Sequence, residues 1–139
     1  MNLRGAHLAA GLLAFAAFVI TGQYMELAFA HLQGMPDAPR LMYRSAHIYL
    51  FYAAMLNLAL AAYIAPLTGR SAMRLQLAGS IAILVAPLLL LVSFFAESRN
   101  HDPLSRPVAV AGIYLSLLGI ALHLIAAMAS RQHSRGATD

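Results

Sequence analysis

Four long apolar runs, a shortage of charge and no alternating strand pattern predict an all-α fold. The architecture they imply is a polytopic transmembrane four-helix bundle running up, down, up and down. The runs cover about residues 6–30, 45–64, 75–96 and 108–129. Each approaches or exceeds the roughly 20 residues that cross a hydrocarbon core. Continuous apolar segments of this length are helices, since barrel strands alternate. Hydrophobic residues make up 61% of the chain and charged residues only 10%, where a soluble domain carries about 25% charge. A chain of 139 residues has too little interior to bury so much apolar side chain. The bilayer must cover it.

The first run carries Arg4 and ends in Ala28-Phe29-Ala30, a small-x-small pattern like a signal-peptide cleavage site. Tyr24, Met25 and Glu26 separate that pattern from the apolar stretch, so the run reads as a retained span. The second run follows Arg40 and Arg44 and stops at Pro66. It contains His47, Tyr49, Tyr52 and Asn57, and such polar groups face protein or water rather than lipid. Ser71 is the expected N-cap of the third helix. Pro87 should leave the Ile83 carbonyl without its helical donor. The link over residues 100–107 is polar and turn-rich, and Ser105 with Pro107 reads as the cap and first turn of the fourth helix. Residues 130–139 form a polar tail. No repeat or flexible linker divides the chain, so residues 1–139 are one integral membrane domain.

Short links force antiparallel neighbours, so both termini share one side. That side holds Arg4, Arg70, Arg74, Arg131 and Arg135, and the other holds Arg40, Arg44, Arg99 and Arg106. By the positive-inside rule the termini are expected in the cytoplasm, in a bacterial inner membrane. The positive charge is all arginine, with no lysine, and lies at the ends of the runs. It anchors topology and is no nucleic-acid surface. The expected partners are the lipid bilayer and either another membrane protein or a second copy of the chain. Cysteine is absent, which excludes disulfides, thiolate metal sites, cysteine catalysis and covalent haem attachment.

Counting 1.5 Å of rise per residue from each run's centre places Glu26, His47 and Ser93 about 11–12 Å from the midplane, on the side away from the termini. Gln23 and Tyr49 fall about 8 Å out. Arg44, His31, Glu97 and His101 lie just beyond. Glu26, Arg44, His47, Gln23 and Tyr49 are therefore the expected site for a proton or small ligand. A bridge from Glu26 to Arg44 or His47 is the expected contact, and on its own it would only fix helix order. His47, Glu26 and His31, with Glu97 or His101 as substitutes, are the expected ligands if a metal ion binds, since imidazole and carboxylate suit zinc, iron or copper. No HxxxH or HExxH spacing supports that set.

On the fourth run Gly112, Ser116, Gly119 and His123 share one stripe, a small-residue face for close helix packing. Ser116 and Asn57 are expected to bond one another, with the carbonyl freed by Pro87 nearby. His123 reads as a hydrogen-bonded packing residue, and His7 and His133 as solvated interface residues. A b-type haem is disfavoured, because His47 and His123 differ by about 18 Å in depth and His7 and His123 by about 10 Å. The leading function is binding of a metal, a proton or a quinone-like amphiphile. The alternative is an accessory or scaffold subunit without chemistry. No activated nucleophile is marked, which weighs against an enzyme.

Overall fold

In the computed structural model, which describes residues 2–99, 102 and 104–135 with side chains through Arg131, the four runs become four helices. They are α1 (Leu3–Phe29), α2 (Asp37–Tyr63), α3 (Arg70–Ala96) and α4 (Pro107–Arg135). All four are long and apolar enough to cross a membrane. The described residues contain no strand.

Each helix starts ahead of the apolar run that announced it. Hydropathy locates the hydrocarbon slab, whereas helix ends are set by caps and turns in the polar interface. At α1 the Asn2 side chain accepts from the Gly5 amide at 3.0 Å, satisfying one of the orphan donors of a first turn. At α2 the helix starts at Asp37, eight residues before its apolar run, with Pro39 tolerated in the first turn. Two expected caps are corrected. Ser71 lies inside α3, whose N-cap is Gly69 without a side-chain bond. Ser105 does not cap α4. Glu97, at the end of α3 and only 5% exposed, reaches across instead. Its two carboxylate oxygens accept from the Val108 amide at 2.6 Å and the Ala109 amide at 3.0 Å. A carboxylate on a helix N-terminus gains both hydrogen bonds and the dipole, so both Glu97 oxygens are engaged in capping α4.

The bundle is built around α3. Half of its most apolar window is buried, against 17% for α1 and 22% for α4. The closest pairing is α3 with α4, and glycine makes it close. A Cβ on Gly119 would lie 2.7 Å from the Gly79 carbonyl, and one on Gly79 would lie 2.8 Å from the Gly119 carbonyl. Neither can be tolerated, so the two backbones touch through reciprocal glycines, as the α4 stripe predicted. Gly112 sits likewise against Leu90. The second pairing is α1 with α2, where Gly11 meets Leu58. Large residues such as Leu13, Ile20, Leu88, Leu118 and Leu124 point outward and supply the lipid-facing surface.

Pro87 lies inside α3, and the buried Asn57 amide from α2 reaches toward the Ile83 carbonyl at 3.5 Å while donating at 2.9 Å to Ala53. The pairing of Asn57 with Ser116 does not form. Ser116 meets the Tyr52 hydroxyl at 3.1 Å and donates to the Ile113 carbonyl at 2.7 Å.

Candidate functional site

The end of the bundle carrying the α1–α2 and α3–α4 links, here the loop side, holds most of the residues the sequence singles out. Thr21, buried on α1, lies 3.0 Å from both the Phe18 carbonyl and His47 Nδ1. A hydroxyl has one hydrogen. Given to the carbonyl, it leaves the threonine oxygen to accept from His47 Nδ1–H, so Nε2 becomes the free acceptor of the ring. The imidazole is stacked on Phe18, with centroids 4.2 Å apart and planes at 21°. Gly22 admits it, since a Cβ there would be 3.1 Å from His47 Cε1.

His47 lines a cavity of about 390 Å³ together with Gly22, Met25, His31, Leu32 and Arg44. That is a size at which small ligands are held. His31 arrives by an unusual route. Ala30, His31 and Leu32 all have positive φ, at 44°, 59° and 63°. Each such non-glycine residue costs about 1–2 kcal/mol, and strain of this kind tends to sit at functional positions. The turn folds the chain back so that His31 pairs with Glu26.

Glu26 therefore meets His31, and no ion pair joins it to Arg44 or His47. The expected bridges are replaced by a partner five residues on. Arg44, which lines the cavity, is left with no hydrogen bond or ion pair to any described residue. Gln23 is exposed and does not line the cavity. Tyr49 lies elsewhere, beneath the Arg106 guanidinium at 5.7 Å from its ring centre. His31 and His47 share the cavity, and Glu26 pairs with His31. Among the described residues no three of His, Asp and Glu come together. His101 lies outside the described residues.

The opposite end, the terminal side, holds residues that the sequence did not bring together as a site. His7 is fully buried, which corrects its reading as a solvated interface residue. Its Nδ1 lies 2.8 Å from the Asn57 side-chain oxygen, and its Nε2 is buried with no partner. His123 bonds Ser80 through Nε2 at 3.2 Å. The two imidazoles meet edge-on with centroids 6.4 Å apart. Their separation by depth was overestimated, since the ring centroids are only 6.4 Å apart. The buried residues of α1 are His7, Gly11, Ala14 and Thr21, spaced four, three and seven apart, which keeps them on one face as the α4 stripe is kept on its own. That spacing was the available signal.

No known protein-family model matches this chain, and no curated protein or solved structure matches it either. Function is read from the geometry alone.

Proposed function

We propose that the loop-side cavity binds an amphiphile with a quinone-like headgroup, its ring and tail lying against the apolar walls and lipid. The unpaired Arg44 carries this reading. A guanidinium without a partner beside apolar Met25 and Leu32 suits a carbonyl or anionic oxygen on a ligand. His47 Nε2, freed of hydrogen by the Thr21 contact, suits a hydroxyl donor. The pair together match a headgroup that offers one acceptor and one donor. Glu26 with His31 stands at the rim, placed to exchange a proton with water. In this reading the termini lie in the cytoplasm of a bacterial cell, by the five-to-four arginine balance, and the cavity opens in the outer leaflet. A soluble short-chain quinol titrated into the detergent-purified protein tests it. Saturable binding, weakened in Arg44→Gln by the about 1.5–3 kcal/mol of a charged hydrogen bond, supports the site. No saturable binding in a folded protein would leave the scaffold reading.

A further inference from the structure

The paired imidazoles on the terminal side are separate from that cavity, and they carry an inference of their own. Three observations converge. First, His7 Nε2 is buried without any hydrogen-bond partner, on a residue with no exposed surface. Native interiors seldom leave such a nitrogen unused. Second, each ring spends its other nitrogen on a neutral side chain from a third or fourth helix. Asn57 of α2 holds His7 at 2.8 Å and Ser80 of α3 holds His123 at 3.2 Å. Metal-ligating histidines are oriented in this way, one nitrogen fixed by an outer partner and the other free. Third, the two rings are neighbours in the bundle, meeting edge-on with centroids 6.4 Å apart.

The donor set selects the ion. Two neutral nitrogens are present, and neither ring pairs with an acidic side chain. Zinc and ferrous ions need four or more ligands, which the described residues do not assemble at any point. The cost of burying a charge grows with its square, so a divalent ion with no carboxylate beside it is disfavoured. A porphyrin iron needs only two protein ligands, but His7 is wholly enclosed and leaves no slot for a macrocycle. We propose that His7 and His123 form a two-coordinate site for one Cu(I) ion, with Asn57 and Ser80 as positioning residues.

The test uses the full chain in detergent, under reductant and without oxygen. Cu(I) is offered as its bicinchoninate complex, and transfer to the protein is read by loss of the chelator's colour. One ion per chain is expected. Asn57→Ala and Ser80→Ala should weaken binding by about 10–100-fold, and His7→Asn or His123→Asn by more. Melting temperature and elution volume are recorded for each variant. X-ray absorption on the unmodified protein gives a readout that needs no variant to fold. Two nitrogen scatterers and no third support the site. Three or more scatterers, unchanged affinity in a folded His7→Asn/His123→Asn variant, or no uptake would overturn it. A Soret band in the purified protein would overturn it in favour of haem.

Discussion

The two ends of this bundle use the same side chain to opposite effect. On the loop side, His31 and His47 line an open cavity of about 390 Å³, with an unpaired cation and a strained turn beside them. On the terminal side, buried His7 meets half-buried His123 edge-on with ring centroids 6.4 Å apart, the two fixed by an amide and a hydroxyl. Between the two lies a dry layer of Leu50, Ala53 and Leu90. Environment, and not residue type, separates the two chemistries. An exposed cation with apolar walls suits an amphiphile, whereas paired imidazoles with no acidic neighbour suit a single small ion.

The largest effect should come from the contact that holds the terminal-side pair in place. In Gly119→Leu the new Cβ falls 2.5 Å from an Ile83 side-chain carbon and 2.7 Å from the Gly79 carbonyl. The backbone obstacle cannot swing aside, so overpacking should cost about 1–3 kcal/mol or more. Thermal melting in detergent reads it. An unchanged melting temperature would mean that α3 and α4 do not pack through these glycines.

A smaller effect is expected where His7 loses its partner. Asn57→Ala leaves His7 Nδ1 buried and unbonded, at a cost of about 1–3 kcal/mol, while the loop-side cavity is untouched. Loss of quinol binding in a folded Asn57→Ala variant would show that the two ends are coupled after all.

The smallest effect separates the partners of Glu26. A double-mutant cycle between Glu26→Gln and His31→Gln should give a coupling below about 1 kcal/mol, since both side chains are well exposed. The cycle between Glu26→Gln and Arg44→Gln should be additive to within about 0.5 kcal/mol. Stronger coupling to Arg44 than to His31 would restore the bridge suggested by depth alone.

What was legible in the sequence follows the reach of each signal. Four helices were legible because membrane thickness fixes the length of an apolar run. Their ends were not, since Asp37–Arg44 is polar yet helical and only caps and turns mark where it starts. The stripe of Gly112, Ser116 and Gly119 was legible from spacing within one helix. Its counterpart on α1, starting at His7, also keeps to one helical face but was read by depth, which places a residue along the normal and says nothing of which way it faces. His47 and Arg44 were brought to one wall as the sequence suggested. Glu26's partner was hidden because nothing in Ala30, His31 and Leu32 signals a left-handed turn, a conformation glycine usually supplies. The cap from Glu97 was hidden for another reason. It joins two helices across a link, and the amides it serves are exposed only once both helices have formed.

The measurement that bears most directly on the account is a comparison of quinol affinity across four folded variants. Arg44→Gln and His47→Ala remove groups on the cavity wall, while Gln23→Ala and Tyr49→Phe change residues at similar depth that lie outside it. The account predicts at least tenfold weaker binding in the first two, the equivalent of about 1.4 kcal/mol, and none in the second two. Equal losses in all four, or a loss confined to Gln23→Ala and Tyr49→Phe, would contradict it.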